Sequence, residues 1–257
     1  MEPAAHGALT DWDRQVLCAL AEHRVLVTPQ LTSLTGLAEN GAVARLRRLR
    51  QLGLIGHDRI FEGHPAANWI TRRGLDSIES RLPAPRVDLK GYRHDIGVGW
   101  VWLAARNGAF GAASEVTSER EMRSHDLRAD RAREPYGIAM GSFDPRGRPA
   151  RHYPDLLVRT AGGRRIAVEL ELTAKTPRRL DTIMRGYAGD GSVDGVLYLV
   201  PNQSLMRLVG AAVARAGLGD LVRVQRTTAE VHGAPTPGLV QGRTTPTRSR
   251  QASEAAR

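Results

Sequence analysis

The chain has 257 residues, a formal net charge of +10 and an apolar fraction of 41 %. That length suits one large or two small domains, and the apolar content is that of an ordinary globular protein. A single cysteine, Cys18, excludes an internal disulfide and fits a reducing, cytoplasmic setting. The longest apolar run, residues 96–105, is too short to span a bilayer, and the first residues show no basic start followed by an apolar core. The positive balance favours a polyanionic partner such as DNA. Yet 35 of the 37 basic residues are arginine, a bias that GC-rich codon usage also produces, so position carries more information than number.

Residues 1–9 are expected to be a disordered start. From there to residue 81, helical periods alternate with a short wing-like segment. "DWDRQVLCALAEHRV" predicts a helix with Val16, Leu17 and Leu20 inward and Cys18 as a buried thiol. In "VTPQLTSLTG", Thr28 is placed as an N-cap, Pro29 in the first turn and Gly36 at the end of a short helix. "NGAVARLRRLRQLGLI" predicts a third helix with Val43, Leu46 and Leu49 as its buried stripe. At about 100° per residue this turns Arg45, Arg47 and Arg48 away from the core. Arg50 adds a fourth cation to the set expected at DNA. Two short strands follow around the loop "FEGHPAA", and Thr71 caps a helix. His57 and His64 lie near this wing, within reach of a phosphate or with no ligand at all.

This order of three helices, a wing and a further helix resembles the winged helix-turn-helix family over residues 10–81, including the "NWITRRGL" step. The resemblance implies a third helix inserted in a DNA groove. The same residues are compatible with a helical protein-interaction module. Winged helices also mediate dimer contacts, so a second copy of the chain stands beside DNA as a candidate partner.

Residues 82–91 hold two prolines and read as a linker. Residues 92–228 are expected to form an α/β (α+β) domain: helix, three strands, helix, strand, helix, strand, giving a mixed sheet with helices packed on it. Gly97 and Gly99 would let the first helix pack closely. A strand ends near Glu115. "RHYPDLLVRT" and "RRIAVELELT" form a hairpin turning at Gly162 and Gly163. Pro177 starts a helix, and "VDGVLYLVP" is a strand buried on both faces. Residues 229–257, rich in Pro, Thr, Gly and Arg, are expected to be a disordered basic tail.

The hairpin carries the candidate chemistry. In strand periodicity Ala167, Glu169 and Glu171 face one way. An acid inside a helix-covered sheet costs several kcal/mol unless paired or metal-bound. With Asp155 on the neighbouring strand, Glu169 can share a divalent cation through oxygen ligands, as Mg²⁺ prefers. The alternative is an ion-pair network of Glu169 and Glu171 with Arg164, Arg165, Arg178 or Arg179. His94 and Asp95 are adjacent on a helix and so face different ways; a structural hydrogen bond near the acids is expected of His94. Tyr187 is expected to be packing. Arg178, Arg179 and Arg185 either track a phosphate backbone or are solvated.

Pro154-Asp155 on one strand and Glu169 on the next, with a helix before and after, resemble the PD-(D/E)xK nuclease superfamily. The resemblance implies a restriction-endonuclease-like domain in which Asp155 and Glu169 bind Mg²⁺. The lysine expected two residues on is replaced by Glu171. Lys175 is the candidate migrated lysine, with Glu171 as a further metal ligand in the other arrangement. An upstream acid would correspond to Glu115 or Glu119. Together with "RHD", "TSERE", "HYPDLLV", "AVELELTAK" and "RGYAG", the chain resembles the actinobacterial replication-relaxation family over most of residues 10–200. That resemblance implies a plasmid or mobile-element protein acting in replication or relaxation of plasmid DNA. A winged-helix transcriptional or copy-number regulator without catalysis is the rival reading.

Overall fold

The computed structural model describes residues 8–128, 135–144 and 147–227. The expected tail and residues 1–7 of the expected start lie outside these. Helix α1 (Asp11–Glu22) starts from a capping box, in which Thr10 caps the Asp13 amide and the Asp13 carboxylate accepts from the Thr10 amide at 3.0 Å. Val16, Leu17 and Leu20 are fully buried. Strand β1 (Leu26–Val27) leads into α2 (Thr28–Thr35), whose N-cap is Val27, with Thr28 one position inside. The Gln30 side chain, in place of a capping hydroxyl, accepts from the Val27 amide. Gly36 ends α2 in the left-handed region, at φ 66°. Helix α3 (Glu39–Gln51) then runs to β2 (Ile55–Asp58), β3 (Ala67–Ile70) and α4 (Arg72–Ser77), which Thr71 caps. The three strands form an antiparallel sheet in the order β1-β3-β2.

Besides the N-cap of α2, two expectations for this lobe are corrected. The buried stripe of α3 is Ala42, Leu46 and Leu49, while Val43 is exposed. Spacing of four then three follows the 3.6-residue turn, whereas repeated threes drift off the face. Cys18 is exposed, because its neighbours Leu17 and Ala19 occupy the inward side of α1.

The second lobe begins with α5 (Tyr92–Arg106), β4 (Ala113–Ser118) and α6 (Glu119–Arg128). A hairpin of β5 (Ile138–Phe143) and β6 (Pro149–His152) follows. Then come β7 (Leu156–Thr160), β8 (Arg165–Leu170), α7 (Pro177–Gly189), β9 (Gly195–Val200), α8 (Gln203–Ala216) and β10 (Val222–Arg226). The five-stranded sheet has the order β10-β9-β8-β7-β4. Strand β7 is antiparallel to both neighbours, and β8, β9 and β10 are parallel. This is the expected mixed sheet with helices on it. "RHYPDLLVRT" is not one strand: Pro154 has no amide hydrogen to donate to a ladder, and β6 and β7 end and begin on either side of it. The strand expected to end near Glu115 continues to Ser118.

Side chains alternate across β8. Val168 and Leu170 join α5 in a core that continues without a break into the helical lobe, while Ala167 faces α7 and α8. Gly99 makes the junction tight. A Cβ there would lie 2.7 Å from both Gln30 Nε2 and Leu26 Cδ2, so only glycine lets α5 approach α2 and β1. Polar groups reinforce the seam: Gln30 Nε2 donates to the Ile96 carbonyl, and Arg24 donates to Asp95 and Glu119.

Candidate functional site

The antiparallel register pairs Leu156 with Val168, so Asp155, one residue ahead, stands beside Glu169, and Glu171 follows on the same side of β8. Glu169 and Glu171 are buried, 5 % and 3 % exposed. Each carboxylate has its own proton donor. The His94 Nε2 donates to Asp155 Oδ2 at 3.2 Å and to the Leu170 carbonyl at 3.1 Å. Both neighbours are acceptors, which places the proton on Nε2. The Leu170 amide also donates to Asp155 Oδ2, at 2.7 Å. Glu169 Oε1 accepts from His152 Nε2 at 2.6 Å and from the Tyr187 hydroxyl at 2.5 Å. Lys175 Nζ donates to Glu171 Oε2. Among the described residues, the hydrogen bonds to each carboxylate fall on one of its two oxygens.

Burial and charge oppose one another across this row. Burial pulls the His94 imidazolium down, and the Asp155 carboxylate more than reverses this, lifting it to about 9. Burial lifts the Asp155 carboxyl, but His94 and the Leu170 amide bring it below its ordinary value. His152 is likewise depressed by burial and raised overall by Glu169. Glu171 ends above its ordinary value because burial, helped by Glu169 and Asp155, outweighs Lys175. Burial and then Glu169 push the Tyr187 hydroxyl well up. Tyr198 pairs in register with Glu169 from β9, and its buried hydroxyl has no hydrogen-bond partner among the described residues. Burial and the carboxylates of Glu169, Glu171 and Asp155 raise it well above the usual range.

Thus the fold gathers Asp155, Glu169, Glu171 and Lys175 as one cluster. The partners of the acids are two histidines, a tyrosine and a lysine, not the arginines of the alternative network, and His94 makes the structural hydrogen bond expected of it. The sequence does not single out His152, and Tyr187 does more than pack. Arg178 and Arg179 are exposed at the start of α7, with Arg179 near enough to act on Tyr198. Glu115, on the edge strand β4, is exposed and pairs with Arg159 of β7. Glu119 lies beside Asp155. Its amide donates to the Asp155 carbonyl, and both residues border a cavity of about 20 Å³ at the lobe seam, with Arg24 and His94. That volume is enough for about one water. The donor set of hard carboxylate oxygens suits Mg²⁺ in chemistry. Among the described residues, however, no three His, Cys, Asp or Glu side chains are arranged to hold a metal.

The second locus is the outer face of α3. Arg47 and Arg50 are exposed and, with Val43, Thr28 and His57, line a groove of about 130 Å³. His57 Nδ1 is bonded to Asn68 Oδ1 at 2.8 Å, and the Asn68 amide is spent on the Leu26 carbonyl. This sets the ring beside the groove. Arg48 is half-buried. Arg45 is turned the other way. It forms an ion pair with Asp13 at 2.8 Å and lies over the Trp12 ring at 5.6 Å, clamping α3 to α1. No helix among the described residues is long and apolar enough to cross a membrane.

No protein-family model matches the chain, and no curated protein matches it significantly.

Proposed function

We propose that this chain is a DNA-binding protein of a plasmid or integrative element, acting in replication or relaxation of plasmid DNA. In this reading the first lobe is a winged helix-turn-helix that holds duplex DNA, and the second is a restriction-endonuclease-like domain that receives the phosphate backbone. The observation that carries it is the outer face of α3. Arg47 and Arg50 stand there beside His57 of the wing, two cations one helical turn apart, on a helix narrow enough for a major groove.

Support for the second lobe comes from the acids. Asp155 and Glu169 on adjoining strands, α5 before them and α7 after, follow the pattern of the PD-(D/E)xK resemblance. Mg²⁺, when bound, would be held by the free oxygens of Asp155 and Glu169 and would activate water and stabilise charge on a phosphodiester. The chain's own side chains prepare those oxygens. His94 fixes one end of Asp155, His152 and Tyr187 fix one end of Glu169, and Lys175 holds Glu171 where the resemblance expects a lysine. Arg178 and Arg179 supply the grip on the strand.

A second reading is favoured by one observation: every carboxylate of the row is already hydrogen-bonded to a donor side chain, and no metal-holding trio is formed among the described residues. It makes the second lobe a docking domain, and the protein a transcriptional or copy-number regulator. Incubating supercoiled plasmid with protein and Mg²⁺ or Mn²⁺ separates the two. Nicking that disappears in Asp155→Ala supports turnover. Binding to one operator regardless of Mg²⁺, without nicking, supports the regulator. Absence of any retarded DNA at modest ionic strength rejects both.

A further inference from the structure

Away from the acid row and from α3, the β5–β6 hairpin and α7 enclose a cleft of about 880 Å³. That is within the range of roughly 300–1,000 Å³ typical of small-molecule sites. Arg151, Arg165 and Arg185 line it from three different elements, against one carboxylate, Asp190. Asp190 is partly spent on capping the Ser192 amide. Arg165 is the telling member. Its guanidinium lies 5.7 Å from the Tyr136 ring, and its Nε is buried with no hydrogen-bond partner among the described residues. A buried donor left without an acceptor is costly, and Ser192 Oγ, also on the cleft wall, is in the same condition among the described residues. Gly189 and Gly191 form part of the wall, and a Cβ at either would meet open space. A ligand can therefore approach the main chain there.

We infer that this cleft binds the phosphate of a nucleotide, free or within a nucleic-acid strand. Guanidinium forks match phosphate oxygens two at a time. Arg165 Nε is closed to solvent, so contact with a ligand would fall to the Nη groups of the three arginines that line the cleft. Arg165 lies on the same side of β8 as Glu169, four residues away, or about 13 Å at strand rise. An occupant therefore sits alongside the acid row without touching it. No residue of that row or of the α3 face takes part in holding it.

Calorimetric titration of the full chain with ATP and with a twelve-residue thymidine oligonucleotide tests this. At least one should bind, and Arg165→Gln combined with Arg185→Gln should weaken it tenfold or more. Arg47→Ala with Arg50→Ala should leave the ATP titration unchanged while weakening duplex retardation. ATP binding alone identifies a free nucleotide; oligonucleotide binding alone identifies a strand. Should the double variant lose its fold, Gly191→Glu, which adds bulk and charge where space is open, must weaken binding equally. Failure of both probes to bind the wild type, or unchanged binding in a folded variant, overturns the inference.

Discussion

The Gln30 side chain donates to the Ile96 carbonyl at 2.7 Å while accepting from the Val27 amide at 2.9 Å. One buried amide therefore caps α2 of the helical lobe and anchors it on α5 of the sheet lobe. Replacing Gln30 with Leu leaves the Val27 amide without its side-chain acceptor and removes the bond to the Ile96 carbonyl that ties α2 to α5. The expected cost is about 1–3 kcal/mol. Because the apolar core runs through the seam, chemical denaturation should show one cooperative transition, shifted as a whole. Separate transitions for the two lobes would contradict the shared core. Gly99→Val should act at the same place with at least the same size, since its side chain has nowhere to go.

Arg45 and Arg47 differ by two positions and by role. Arg45→Ala strips the cation from Asp13, which is 1 % exposed, and should cost about 1–3 kcal/mol of stability. Arg47→Ala and Arg50→Ala should leave the denaturation midpoint within about 0.5 kcal/mol. They should instead weaken duplex binding and lower the salt slope by about one for each phosphate no longer neutralised. Gel shifts across a salt series, paired with urea melts, measure both. Loss of binding in Arg45→Ala alone, at unchanged stability, would reverse these assignments.

The His94–Asp155 pair carries a pH signature. His94 is raised from 6.5 to about 9 in the folded chain. Its contribution is fully present below about 6.5 and is lost as pH rises through about 9. Asp155 is depressed, so its share is present above its ordinary carboxylate value and fades as pH falls through the folded one. The gap in Tm between wild type and His94→Ala should be widest near pH 6 and narrow by pH 9.5. Using a difference removes the separate acid response of His23, which burial, then Arg120 and Arg24, hold down at about 3. A gap constant across that range would show that the imidazole is held neutral.

Local periodicity makes much of this molecule legible. The α1 core positions, the Gly36 stop, the Thr71 cap, the hairpin turn and the apolar β9 strand are all written in spacing and turn chemistry. What escapes is long-range. Helix period alone cannot say which polar flank of α3 meets α1, so it puts Arg45 among the groove cations. Helix α6 and the β5–β6 hairpin are short and largely polar, with Gly141 at φ 64° interrupting β5, and they carry little periodic signal. His152 reaches Glu169 across 17 residues and a proline. The acids are visible because buried charge is conspicuous in an apolar strand; of their donors, His94 and Lys175 are legible, whereas His152 and the hydroxyl role of Tyr187 are not.

Glu171 is expected to be a carboxylate whose charge the fold carries at a cost. Burial, with Glu169 and Asp155 behind it, lifts Glu171 above its ordinary value even though Lys175 is bonded to it. A carboxyl whose folded value is raised costs stability once ionised, and that cost grows as pH rises through its unfolded value. Glu171→Gln keeps the shape, removes the charge and leaves Lys175, at 36 % exposure, to water. At pH 7 the variant should gain on the order of 1 kcal/mol, the usual scale for relieving a group that stability does not require. Near pH 4, where the wild-type acid is protonated in both states, the gain should vanish. Urea midpoints at the two pH values check the sign. A loss at pH 7 would mean that the Lys175 pair outweighs the burial and that Glu171 belongs to the structure. A gain would mark the acid as one retained at the expense of stability, as a cation site requires.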